Sequence, residues 1–333
     1  MFILYAAIFL FSFFLFYVAG KLLVDGLIRA TKFLRLKEFV IAFFVIALSS
    51  SIPNLVVGLS AAVRGIPQLS FGDVVGNNLA ALTIVVAIVC LFSRSGISAE
   101  SRTVRTSSLF VMVSAILSLV LILDRTLSRM DGVLLIALFF FYIFWLFSKE
   151  DRFNKPNEDY SPPPFQGFKS FLKDLFKVLL GLIIFIVAAQ GMVSSARFFA
   201  ESLNMSLILI GVLVTGLGSA LPEMYFDIIS VKKGQNWMIL GDLMGAVIIP
   251  STLVLGIVAL VSPIYISDFS SLALARFFVI ISALLFPIFV RSGKKIDKKE
   301  ALILLSIYII FLISEILFKA PLVNNGWFNF LFK

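Results

Sequence analysis

Apolar runs about twenty residues long recur along the whole of this 333-residue chain, separated by short polar connections. Twenty residues of α-helix rise about 30 Å, the thickness of a bilayer's hydrocarbon core. In that layer every backbone N–H and C=O needs a partner within the protein, which restricts spanning segments to helices and closed barrels. The polar/apolar alternation of a membrane barrel is absent. The pattern predicts an all-α membrane protein with ten transmembrane helices, at 2–24, 38–63, 69–93, 107–124, 130–148, 174–197, 205–231, 237–261, 272–291 and 300–318. The first run has neither a basic leader nor a small-residue cleavage signal, so it reads as a retained helix. With 60% hydrophobic and 14% charged residues, the chain cannot cover a water-soluble surface, which excludes a cytosolic enzyme. Histidine is missing and Cys90 is the single cysteine, so histidine metal sites, histidine relays and an intrachain disulfide are excluded.

The net charge of +9 is a matter of topology. With Arg197 and Arg291, the last residues of their spans, counted with the loops they enter, the loops after spans 1, 3, 5, 7 and 9 hold 19 Lys and Arg residues, against 6 in the loops after the even spans and the tail. Basic residues mark the cytoplasmic side. Both termini are therefore expected outside, in a multi-pass protein of the plasma membrane, and nucleic acid is not an expected partner. The longest connection, 149–173, carries charges of both signs and the run Ser161-Pro162-Pro163-Pro164. It reads as a cytoplasmic linker between a first five-helix half, 1–148, and a second, 174–333.

The two halves repeat. Shifting the chain by 169 positions, without a gap, lays Ser50 on Ser219, Pro53 on Pro222 and Gly65 on Gly234. The same register lays Gly72 on Gly241, Asp73 on Asp242 and Gly76 on Gly245. Shared Leu or Val would mean little in apolar segments; Pro, Gly and Asp in one register mean common descent. Five spans is an odd number, so the second half enters the membrane from the opposite side. Inverted repeats of this kind bring matching interrupted helices together at the bilayer midplane and permit alternating access.

The repeated segments are rich in oxygen. Pro53 and Pro222 fall inside spans 2 and 7, where a proline frees a carbonyl one turn back and is expected to break the helix. Around them stand Ser49, Ser50, Ser51 and Asn54 in span 2, and Thr215, Ser219 and Glu223 in span 7. A single serine in a helix commonly bonds back to its own backbone. The cluster instead forms a hard ligand set of the kind Na⁺ or Ca²⁺ takes. A carboxylate at mid-span costs about 2.5–3.5 kcal/mol, which makes Glu223 the strongest candidate. Asp227, at i+4, shares its helix face but lies nearer the membrane boundary. Asp73 and Asp242 open spans 3 and 8, where they act as helix caps or as ligands; Asn77 follows Asp73 on the same face. Gly72, Gly76 and Ala80 form a small-residue strip suited to close helix approach. The candidate metal ligands are Glu223, Asn54, Asp73 and Asp242. Four neighbouring carboxylates cannot all stay ionised in a low dielectric without cations, which couples binding of one cation to release of a proton or another cation.

At these residues the chain resembles the cation/calcium exchanger superfamily, and within it the membrane domain of the sodium/calcium exchangers. The family signature, G-[TS]-S-[LI]-P-E followed by G-N-x-x-G-S-N, is similar to Ser49-Ser50-Ser51-Ile52-Pro53-Asn54 and Gly218-Ser219-Ala220-Leu221-Pro222-Glu223. The later runs are Gly72-Asp73-Val74-Val75-Gly76-Asn77-Asn78 and Gly241-Asp242-Leu243-Met244-Gly245-Ala246-Val247. The resemblance implies ten helices in two inverted five-helix repeats, outward termini, no cofactor, and spans 1 and 6 sliding across the remaining bundle. The chain departs from the signature at Asn54, in place of glutamate, and at Asp73 and Asp242, in place of asparagine. It departs also at Ala246, Ala81 and Pro250, which supply no side-chain ligand.

The expected function is secondary antiport of a divalent cation, Ca²⁺ foremost, against Na⁺ or H⁺. A descendant that binds a cation without transporting it, or whose substrate has shifted, is the alternative that the losses at Asn54, Ala81 and Pro250 suggest. An intramembrane aspartyl protease built on the two Gly-Asp pairs is a remote third.

Overall fold

A computed structural model describes residues 1–33, 48–93, 96–100, 102–148, 164–203, 205–232, 236–267 and 272–319. Among them the chain forms ten helical runs. In the first half these are α1 (Phe2–Phe33), α2 (Leu48–Val63), α3 (Gln68–Phe92), α4 (Arg102–Leu121) and α5 (Arg129–Phe147). The second half supplies α6 (Pro164–Ser202), α7 (207–232), α8 (236–261), α9 (Ala273–Arg291) and α10 (Lys298–Lys319). Eight of the ten are long and apolar enough to cross a membrane. The other two, α2 and α7, carry shorter apolar stretches, Ser51–Val63 and Leu207–Leu221. In α7 the stretch ends where Glu223 and Asp227 begin.

Several boundaries differ from the sequence reading. Part of the second predicted span, 38–47, lies outside the described residues. Of the predicted linker, 149–163 also lies outside them, and the chain is helical from Pro164, so 164–173 extend α6. Proline suits a first helical position, and Phe165, Phe168 and Phe171 follow at helical spacing. Neither Pro53 nor Pro222 breaks its helix: α2 and the 216–232 part of α7 run through them. The departures from α-geometry are instead single π-turns, at Ala81–Val85 in α3, Gly211–Thr215 in α7 and Pro250–Val254 in α8.

The repeat is visible in fine detail. The π-turns of α3 and α8 lie 169 residues apart, and so do the threonines that bond back within them. Thr83 donates to the carbonyl of Leu79, and Thr252 donates to that of Ile248 at 2.5 Å. A capping box opens α5, between Ser128 and Asp131. Its counterpart opens α10, where Asp297 and Glu300 each accept the other's backbone N–H at 2.9 Å. Among the described residues the non-glycine positions with left-handed backbone are Arg125 and Lys294, again counterparts. Each turns the end of a helix into a two-residue strand.

Those strands establish the inversion. They are β1 (Ile97–Ser98), β2 (Thr126–Leu127), β3 (Ile264–Tyr265) and β4 (Lys295–Ile296). β1 pairs with β4, Ile97 opposite Ile296; β2 pairs with β3, Thr126 opposite Tyr265. The loop after the third helix of one half thus meets the loop after the fourth helix of the other. Two halves inserted in the same sense would pair third loop with third.

Two buried cores result. The larger is built around α3 and α8, with α4, α5, α9 and α10 packed about them. The second lies between α1 and α6, which pack chiefly on each other, and one face of α2. That second core is rich in alanine: Ala19, Ala61, Ala188, Ala189, Ala196 and Ala200.

Candidate cation-binding site

Glycine brings α3 and α7 into backbone contact. A Cβ on Gly216 would lie 2.7 Å from the Asn77 nitrogen, the Asp73 carbonyl oxygen and the Gly76 Cα. A Cβ on Gly211 would lie 2.7 Å from the Gly72 Cα. The predicted small-residue strip therefore works through Gly72 and Gly76, and its partner is α7. The close approach sets polar side chains of opposite halves face to face.

Asp73 is 1% exposed and lies inside α3, whose cap position is Pro67. Asp242, 2% exposed, lies as deep within α8, which begins at Asn236. The capping alternative falls for both, because each helix starts about a turn and a half earlier than the aspartate. The hydroxyls of Thr215 and Ser219 face the Asp73 carboxyl. Each hydroxyl has one proton and also a carbonyl to give it to: Gly211 at 3.0 Å from Thr215, Gly216 at 3.0 Å from Ser219. A cation at Asp73 would require both hydroxyls to give their protons to those carbonyls and turn lone pairs toward it.

Glu223 is buried, and neither of its carboxylate oxygens has a hydrogen-bond partner. The same holds for Asp227, which is 0% exposed and so not solvated, although it lies further toward the end of α7 than Glu223. Helix α7 packs that turn against the inner part of α3. Asn54, the counterpart of Glu223, is 1% exposed with both amide atoms unpartnered, and one oxygen of Asp73 is likewise bare. Burying such groups without partners costs several kcal/mol for charged groups, and metal coordination is a recognised way to offset it. Glu223 lies within electrostatic reach of Asp242 and Asp73, and Asp227 within reach of Asp242 and Glu223. Among the described residues no three acidic or thiol side chains converge on one metal-sized point. A bound cation must therefore draw on amide, hydroxyl and carbonyl oxygens as well. Ser51 is buried on α2; of Ser50 and Pro222 only the backbone lies within the described atoms.

Asn77 closes the site at the centre, donating from Nδ2 to the Ala246 carbonyl at 2.8 Å, while its Oδ1 lies 3.4 Å from the Ser219 hydroxyl. The sequence reading did not single out Asn78 and Ser251, which join α3 to α8 through a 2.7 Å bond from Nδ2 to the hydroxyl. They are not counterparts, so the repeat register gives no sign of the pair. The available signal was the polar pair Ser251-Thr252 in the otherwise apolar run that follows Val247.

Comparison with known proteins agrees with this architecture. The family model described as sodium/calcium exchanger protein matches residues 4–148 and 174–317. The chain is 24% identical over 317 residues to the sodium/calcium exchanger MaX1 of Methanosarcina acetivorans, covering 85% of this chain and 90% of that protein. It is 24% identical over 246 residues to the putative antiporter CaxA of Alkalimonas amylolytica, covering 72% and 75% respectively. Its fold is similar to that of the sodium-calcium exchanger NCX_Mj soaked with 10 mM Na⁺ and zero Ca²⁺, with a TM-score of 0.66 at 24% identity. That match covers 94% of this chain and 99% of the other.

Proposed function

Because the chain belongs to the sodium/calcium exchanger protein family, we propose that it is a secondary active cation antiporter, a transporter and not an enzyme, that moves a divalent cation against Na⁺ or H⁺. The observation that carries this reading is the set of buried, unpartnered oxygens where the two inverted halves meet: Glu223 and Asn54 as counterparts, with Asp73 beside Thr215 and Ser219. Asp73, Asp242, Glu223 and Asn54 hold the cation, with Asn77, Thr215, Ser219, Ser51 and Ser50 as neutral oxygen donors. The cations are substrates, and the site works without a cofactor. Ca²⁺, which takes 6–8 oxygens with carboxylates among them, is the foremost divalent candidate. The positions of Ala81 and Pro250 offer no ligand, and Asp73 and Asp242, each two turns earlier on its helix, take over their charge. Ala246 likewise has no side-chain oxygen to offer.

The two five-helix halves, the second beginning with α6 at Pro164, supply the two sides of an alternating-access cycle in the plasma membrane, with both termini outside. The α1–α6 pair slides across the bundle, as the family resemblance implies, over the smooth alanine-lined core. Efflux or uptake of Ca²⁺, Mn²⁺ or Mg²⁺ in vesicles with an imposed Na⁺ or H⁺ gradient tests the reading. Gradient-dependent flux is expected for at least one divalent ion. Saturable binding without flux under either gradient would instead favour a non-transporting descendant, the reading that the neutral Asn54 motivates.

A further inference from the structure

Helix α6 meets the rest of the bundle chiefly along α2, and α1 rides on α6. Between α1 and α6 the fit is close: a Cβ on Gly191 would run into the Ser12 hydroxyl. Between α6 and α2 the contact is largely apolar, with Val57 and Ala61 on one side and Ala189, Val193 and Ala196 on the other. Dispersion contacts between small apolar groups are nearly as good one turn further along, so they fix no single position of α6.

A polar cluster interrupts that contact at one place. The Arg64 guanidinium donates to the Ser194 hydroxyl at 2.6 Å and to the carboxamide oxygen of Gln190. Gln190 donates from Nε2 to the Ser60 hydroxyl at 3.2 Å, and Ser194 gives its own proton to the Gln190 backbone carbonyl at 2.7 Å. Arg64 thus grips two residues one turn apart on α6. Its own backbone belongs to the opposite side of the contact. It sits in the turn between α2 and α3, with its N–H on the Ser60 carbonyl at 3.2 Å. Gly65, at φ +72°, and Ile66 then close the turn on Ala62 and Ala61 at 3.1 and 3.0 Å. α3 follows at Gln68 and is part of the larger core.

The grip is specific to one position. A turn before Gln190 on α6 stands Ile186, and a turn after Ser194 stands Phe198. Displacing α6 by one turn, about 5.4 Å, in either direction puts hydrocarbon in the place of one of the two partners of Arg64. The repeat does not reproduce the cluster, because Ser60, Gln190 and Ser194 fall in register on Ile229, Lys21 and Asp25.

We propose that Arg64 is a positioning residue, a clasp that holds the α1–α6 pair where this structure shows it and must open before the pair slides. The proposal rests on the antiporter reading above and adds to it where the moving pair is held and by what. Arginine suits the task, since its planar fork reaches two acceptors at once. Arg64 is exposed, so water takes over its donors when the clasp opens, and the barrier to motion stays low.

Distances between spin labels on the full-length protein in liposomes test this, with labels at Arg197→Cys on α6 and at Leu123→Cys in the exposed turn after α4. Neither position belongs to the clasp, and the native Cys90 is buried. Arg64→Ala and Gln190→Leu should each raise the ratio of a displaced distance to the one seen here by about threefold or more. Combined, they should fall well short of the product of the two single effects, because both break one shared network. An unchanged distribution in Arg64→Ala overturns the proposal. So does a double variant whose effect equals that product, which would mean two independent packing defects. The antiporter reading fails on a separate result: no gradient-driven flux in the unmodified protein, whatever the distances do.

Discussion

Asn77 Nδ2 donates to the carbonyl oxygen of Ala246, the residue 169 positions away and its own counterpart in the other half. The bond crosses the pseudo-twofold axis that relates the repeats. Pro250 explains why the acceptor is available: it lies four residues after Ala246 and has no N–H to give back. Asn77→Ala removes the one donor and leaves a buried carbonyl bare. The expected loss is about 1–3 kcal/mol of stability, read as a lower unfolding midpoint in detergent. An unchanged midpoint would mean that water or another side chain takes over the bond.

Glu223→Gln separates function from folding. The amide is nearly isosteric, so the protein should fold and insert normally, while gradient-driven flux falls to background. Removing an unpartnered buried carboxyl should also leave the ion-free protein at least as stable as before. Flux within about twofold of the unmodified protein would remove Glu223 from the transport path.

The packing of α3 on α7 leaves no space at Gly216. Gly216→Ala would force its methyl against three backbone atoms that no rotamer change can move. A cost of about 1–3 kcal/mol is expected, together with loss of cation-dependent stabilisation as Asp73 shifts away from Thr215 and Ser219. Normal stability and normal ion response in this variant would contradict the close contact.

The inversion has a direct chemical test. Ser98 and Lys295 are paired in one small sheet, Thr126 and Tyr265 in the other. Single cysteines at 98 and 295 should react with a membrane-impermeant maleimide from one side, and cysteines at 126 and 265 from the opposite side. With both termini outside, as proposed above from the excess of basic residues, 98 and 295 are expected to react from the cytoplasmic side. Cys90 is buried and should stay silent. Labelling of 98 and 126 from the same side would refute the topology.

Much of this architecture is legible in the sequence because its two strongest signals are robust. Helix length against bilayer thickness gives the spans, and proline, glycine and aspartate in a single register give the repeat. The π-turns and the two-residue strands carry no comparable pattern: Ala81–Val85 is an ordinary apolar run, and the sheets depend on partners nearly 140 to 200 residues away. The sequence left Asp73 and Asp242 equally readable as caps or as ligands, because apolar residues follow them. In fact Leu69, Ser70 and Phe71 are already helical and buried, which hydropathy alone does not report. Glu223 stood out in the sequence as a mid-span carboxylate, and the structure finds it buried without a partner. Asp227 was harder, since only packing against α3 reveals how far it is from water.

The two small sheets join one half to the other at opposite ends of the molecule, β1 with β4 and β2 with β3. Stitched in both places, the halves make one frame, which could rock apart like a clamshell only by breaking these strand pairs. Whatever exposes the ions first to one compartment and then to the other must move within that frame. The pieces left unsewn are α1 and α6, and on the antiporter reading proposed above they are the shuttle that runs along this loom.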